Sequence, residues 1–140
     1  METSAVLDAL GGLISPLKQY AAKLPPVVHL AAVPSGIKPK PEAVEVFEQT
    51  LSRFREQSGR TVFKKLQDLL IESLEAFEVG NLLGSVQPLL AVLDQVDRMQ
   101  RDKEIKVTAV DEKRIGEYRN ALHKILPGSQ PELDGAGRGL

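Results

Sequence analysis

Between residues 61 and 103 the apolar side chains recur three and four positions apart, and a chain with that period folds as helix. Val62, Phe63, Leu66, Leu69, Leu70, Ile71, Leu74 and Phe77 form one set. At the helical angle they cover an arc of roughly 200°. Val86, Leu89, Leu90, Val92, Leu93, Val96 and Met99 form a second set that covers about half the circumference. A helix apolar over half its girth must be contacted from several sides. Segments 61–79 and 85–103 are therefore expected at the centre of an all-α bundle.

Narrower stripes flank this centre. Val44, Phe47, Leu51 and Phe54 mark a helix over 41–57, and Ile115, Tyr118, Leu122 and Ile125 mark another over 111–126. Leu7, Leu10, Ile14, Leu17, Ala21 and Leu24 mark an amphipathic helix over 4–24. Gly11-Gly12 and Pro16 disturb that last helix. Its stripe stays in register across them, which predicts one kinked helix. The rival is two short helices, the second capped by Ser15 with Pro16 at its first position.

Local signals place the ends. Pro41 opens the second helix and Ser58-Gly59 closes it. Thr61 is placed to cap the third, and Gly80-Asn81 turns the chain after it. The fourth helix starts at about Asn81 or Ser85, and Pro88, tolerable only in a first turn, favours Ser85. Asp94–Arg98 and Asp97–Arg101 have the i,i+4 spacing of surface ion pairs. Ile105–Val110 reads as a loop, and Pro127-Gly128 stops the last helix. These signals predict a bundle of four to five helices. An N-terminal amphipathic helix (1–24) joins it through a Pro-rich connector (25–41), the bundle core spans 42–127, and a glycine-rich tail follows (128–140).

The connector holds Pro25, Pro26, Pro34, Pro39 and Pro41. It allows the N-terminal helix two fates, packing on its own bundle or docking elsewhere as an arm. One internal echo pairs Leu10, Gly12, Ile14, Pro16 and Leu17 with Leu82, Gly84, Val86, Pro88 and Leu89. Five matched positions in helix-forming sequence arise easily by chance.

Composition bounds the function. The absence of Cys excludes disulfides, thiolate metal sites and cysteine nucleophiles. Aromatic residues make up 4% of the chain, so the core is built from Leu, Val, Ile and Ala. A net charge of −1 gives no global attraction to nucleic acid or anionic lipid. No apolar run has the length of a membrane span, and Glu2 and Asp8 stand where a secretory signal carries basic residues. A cytoplasmic location is expected, and membrane binding is not.

Catalytic motifs are absent: no HExxH, phosphate-binding P-loop, GxSxG or EF-hand loop occurs. His29 and His123 lie in separate segments and read as ordinary residues. Asp68, Glu72 and Glu75 share one helix side, but the histidine that a helical di-metal site requires three residues after a glutamate is missing. They read as a solvated face. Gly135–Gly139 is not set between a strand and a helix, as a phosphate loop requires. The chain is therefore expected to be no enzyme and to hold no cofactor or metal.

Two features point to binding. The first is the apolar stripe Leu7, Leu10, Ile14 and Leu17, suited to a partner groove or a second copy of the chain. The second is the basic turn Arg53, Arg55, Arg60, Lys64 and Lys65, opposed locally by Glu56, which suits phosphates. The leading expectation is a non-enzymatic protein–protein interaction module, an adaptor, assembly or regulatory subunit, bound to a partner or to itself. The alternative is a helical nucleic-acid-associated subunit that uses the basic turn.

Overall fold

The computed structural model describes residues 1–22 and 38–125. Most of the Pro-rich connector, with His29, and the tail beyond 125 lie outside the described residues. Five α-helices form among the described residues: α1 (Thr3–Ala22), α2 (Pro41–Ser58), α3 (Gln67–Glu78), α4 (Leu82–Arg101) and α5 (Ala109–Ile125). A 3-10 segment, Val62–Leu66, leads into α3. The all-helical bundle expected from the periodicity is what the chain builds.

The helices close into a ring. α1 packs on α2, α2 on α3, α3 on α4, α4 on α5, and α5 returns to α1. Helices α1, α3 and α5 start at one end, here called the base, and α2 and α4 start at the other. The core contains Leu7, Leu10, Leu13 and Leu17 of α1, Phe47 of α2, Leu70 and Phe77 of α3, Leu89, Val92, Leu93 and Val96 of α4, and Leu122 of α5, all 2% exposed or less. At the end opposite the base, Phe77 stacks on Phe47 at 5.2 Å. Tyr20 meets it edge-on at 5.7 Å and donates its hydroxyl to the Gly80 carbonyl.

α1 is one continuous helix despite Gly11, Gly12 and Pro16. A Cβ at Gly11 would stand 2.7 Å from the Tyr118 hydroxyl of α5, and one at Gly12 would stand 3.2 Å from Thr50 of α2. The two glycines lie where neighbours on both sides press against the α1 backbone. α4 repeats the arrangement against α3, where a Cβ at Gly84 would meet Asn81 at 2.6 Å and Ala76 at 3.2 Å. Each buried proline inside a helix, Pro16 and Pro88, stands four residues after a glycine, Gly12 or Gly84. A proline ring presses on the carbonyl four residues back, and glycine there leaves the backbone room to adjust. This shared device gives the internal echo a physical meaning without requiring duplication.

Several ends depart from the sequence expectation. α4 starts at Leu82, so Pro88 lies in its second turn. Asn81 caps it by accepting from the Gly84 N–H. Pro88 has no N–H for the Gly84 carbonyl four residues back, and the next carbonyl, that of Ser85, has a partner on α3. The Ser73 hydroxyl of α3 donates to that carbonyl at 2.7 Å, and the Ser85 hydroxyl donates to the Ser73 carbonyl at 3.0 Å. Both serines are fully buried. The pair ties α3 to α4 one residue away from the carbonyl that the proline deprives of a donor.

Gly59 does not act as a left-handed cap, since its φ is −55°. Thr61 turns the chain there instead. Its hydroxyl donates to the Ser58 carbonyl and accepts from the Phe63 N–H. Gly80 does take the left-handed conformation, φ 77°. The bonds from Asn81 N to Ala76 O and from Gly80 N to Phe77 O complete a Schellman motif. Lys103 repeats that motif after α4 with φ 61°, a conformation that favours glycine. α5 begins two residues before the expected Asp111. There Thr108 and Asp111 bond each other's backbone N–H at 3.1 Å as a capping box. Asp94 and Asp97 do not pair within α4. Arg119 of α5 reaches both at 2.7 and 2.9 Å, because its guanidinium fork spans two carboxylates three residues apart on the facing helix.

Two glycine substitutions separate packing from propensity. Gly116→Ala, with nothing within 4 Å of the added Cβ, is expected to raise unfolding free energy by up to about 1 kcal/mol. Gly84→Ala is expected to lower it by about 1–3 kcal/mol, because the methyl displaces the capping Asn81 and overpacks against Ala76. Urea denaturation of both variants checks the opposite signs. Ser73→Ala, which removes the buried hydroxyl that bonds the Ser85 carbonyl, is expected to lower it by about 1–3 kcal/mol in the same assay.

Candidate functional site

The stripe Leu7, Leu10, Ile14 and Leu17 is 0%, 2%, 4% and 0% exposed. It faces the interior of its own bundle, and α1 packs on α2, α4 and α5. Those side chains therefore offer no open docking surface in this structure. The reason is simple chemistry: the stripe finds complementary apolar faces within the same chain, and burying each such side chain stabilises by roughly 1.5–3 kcal/mol. Nor does the described surface carry a large apolar patch. Its exposed large hydrophobic residues are Val46, Val79 and Val110, which are scattered over three different segments.

The base of the bundle carries an open cleft with a volume of about 640 Å³. The start of α1, the 3-10 segment, the α4–α5 loop and the first turns of α5 converge there. Met1, Val62, Phe63, Ile105 and Val110 supply its apolar lining. Thr3, Ser4, Thr61 and Thr108 supply hydroxyls. Two bonds hold the walls: the Thr3 hydroxyl donates to the Lys106 carbonyl at 2.8 Å, and the Thr108–Asp111 box fixes the start of α5. Val110 is 68% exposed, the highest value among the large hydrophobic residues described.

Arg114 closes one side of the cleft. It donates to Asp8 at 2.7 Å and to the Tyr118 hydroxyl at 3.0 Å, and it lies 5.6 Å from the centre of the Tyr118 ring. The Tyr118 hydrogen bond chiefly raises its pKa above the ordinary arginine value, against the opposing effect of partial burial, and Asp8 adds to the rise. Arg114 is thus a fixed positive charge at every working pH. A smaller groove of about 320 Å³ runs between α1 and α2, lined by Ala5, Asp8, Ala9, Gly12, Thr50, Arg53, Phe54 and Gln57.

The basic turn is exposed at all five positions, but the fold divides it. Arg53 faces the groove beside α1. Arg55, Arg60, Lys64 and Lys65 lie around the α2–α3 turn, and Lys65 pairs with Glu104 at 3.1 Å. That pair brings the α4–α5 loop alongside, with exposed Arg101, Lys103 and Lys106. Reading the sequence by segments missed this addition, because the two basic stretches are far apart in the chain. It also missed the cleft. The one signal for it in the sequence is the weak apolar alternation of Ile105–Val110.

Asp68, Glu72 and Glu75 are exposed, as expected of a solvated face, and so is His123. Among the described residues no group of three or more His, Asp or Glu is arranged to hold a metal ion. No helix among them is long and apolar enough to cross a membrane. Comparison with protein-family models, with curated proteins and with solved structures finds no match.

The placement of α1 has a direct test. Leu10→Ala is expected to lower unfolding free energy by about 2–5 kcal/mol, the cost of a cavity in a packed core. A detached docking helix would leave stability unchanged, and chemical denaturation distinguishes the two.

Proposed function

We propose that this chain is a non-enzymatic helical interaction module, an adaptor, assembly or regulatory subunit, that holds a partner protein at the cleft in its base. The observation that carries this reading is the cleft itself. It combines an apolar floor, hydroxyls within its walls, and Val110 held in solvent on a helix turn that a capping box makes rigid. A valine so exposed gains from burial only when something covers it, and a rigid wall lowers the ordering cost of binding. The chemistry on view suits an inserted apolar side chain from another protein rather than a reaction. Of the cleft's three carboxylates, Glu104 and Asp111 are engaged by Lys65 and by the helix cap, and Glu2 is exposed at its rim.

A photo-crosslinking amino acid placed at position 110 and, separately, at exposed Val46 of α2 tests the reading in native cells. The expected result is one protein crosslinked from position 110 and not from position 46. The purified pair should then form a complex that Val110→Glu weakens at least about tenfold while stability changes by less than about 0.5 kcal/mol, as for other surface sites. If the recovered protein is this chain, light scattering should show a dimer that the same substitution dissolves. Equal crosslinking from both positions, or a complex indifferent to Val110→Glu, refutes the assignment.

A further inference from the structure

The fold joins two cationic segments into one strip, and we propose that this strip binds the phosphate backbone of a nucleic acid independently of base sequence. Arg55, Arg60, Lys64 and Lys65 form one half; Arg101, Lys103 and Lys106 form the other. The Lys65–Glu104 contact sets the halves side by side. All seven cations are exposed, and Lys65 alone among them makes an ion pair within the described residues. Within segments 55–68 and 101–106 the carboxylates are Glu56, Asp68, Asp102 and Glu104, so the strip itself is rich in cations on a chain whose net charge is −1, while Glu2, Asp111 and Glu112 flank it at the neighbouring cleft and the start of α5.

Helix electrostatics explains only part of the strip. Arg55 and Arg101 lie in the last turns of α2 and α4, where cations offset the negative end of the macrodipole. Lys64 and Lys65 do the opposite. They stand immediately before α3 begins at Gln67, where the positive end of the dipole opposes them. Lys103 adds a second uncompensated feature, a cation carried on a left-handed residue at the tip of the α4–α5 turn. Phosphate is the partner that all of these charges favour together. Exposed bases have no obvious platform, because Phe54 and Phe63 are 2% exposed. The contact therefore positions phosphates without reading bases.

Fluorescence anisotropy with a short labelled single-stranded RNA and a labelled DNA duplex tests the proposal on the full chain. Three or four neutralised phosphates predict a loss of affinity of about a hundredfold between about 50 and 200 mM salt. The triple variant Arg60→Glu, Lys64→Glu, Lys103→Glu should bind about tenfold or more weakly at the lower salt. The control triple variant Lys18→Glu, Lys38→Glu, Lys40→Glu changes the net charge equally at exposed positions elsewhere, and it should bind within about threefold of the unaltered chain. Circular dichroism confirms that each variant stays helical. No anisotropy change with either nucleic acid at low salt overturns the proposal. So does equal weakening by the two triple variants, or strip-dependent binding to anionic vesicles without binding to either nucleic acid. These readouts are independent of Val110, so failure here leaves the cleft reading standing, and the reverse holds too.

Discussion

The apolar stripe of α1 is the wall shared by α2, α4 and α5. Leu7, Leu10, Leu13 and Leu17 are each 2% exposed or less, and Ile14 is 4% exposed. At roughly 1.5–3 kcal/mol per buried side chain their combined contribution is on the order of 10 kcal/mol, comparable to the whole stability of an ordinary domain. The ring α1–α2–α3–α4–α5 closes only through this helix. Everything at the base depends on it as well, since Met1, Thr3 and Ser4 line the cleft and Asp8 anchors Arg114.

Close approach is the second constraint. α1 is hemmed by Tyr118 and Thr50 at Gly11 and Gly12, and α4 by Ala76 at Gly84. Small residues there let the helices near one another, at the expense of helix propensity and of one backbone donor at each proline. Beside Pro88 the Ser73–Ser85 exchange adds two hydrogen bonds between α3 and α4. Thus the residues that look like helix breakers in the chain are the ones that permit tight packing. Both central features, the α1 wedge and the α3–α4 hairpin, use the same Gly-to-Pro spacing.

Much of the architecture was legible because burial follows a helical period. The stripes of all five helices mark the observed core, and Gly80 turns the chain where its conformational freedom implies. Errors arose where local rules met tertiary partners. Pro88 sits in the second turn, where Gly84 leaves room four residues back and Ser73 of α3 bonds the adjacent Ser85 carbonyl. Asp94 and Asp97 turn to Arg119 because an arginine on a neighbouring helix competes with pairs along their own. α1 could not be placed from sequence alone, since an amphipathic stripe looks the same whether its cover comes from its own chain or from another. The candidate sites were harder still. The cleft draws on residues near 1–4, 61–63 and 104–114, and no one-dimensional pattern joins them.

These placements shift the binding hypotheses from the first helix to the base of the bundle. The stripe once suited to a partner is occupied by the protein itself, whereas Val110 and the cationic strip remain uncovered. The central claim is that α1 is an integral part of the bundle, and amide hydrogen exchange tests it most directly. The account predicts that the Leu10, Leu13 and Leu17 amides exchange as slowly as those of Leu89 and Val92 in α4, through the same global unfolding. Exchange of the α1 amides at unstructured-chain rates, while α4 stays protected, would contradict it.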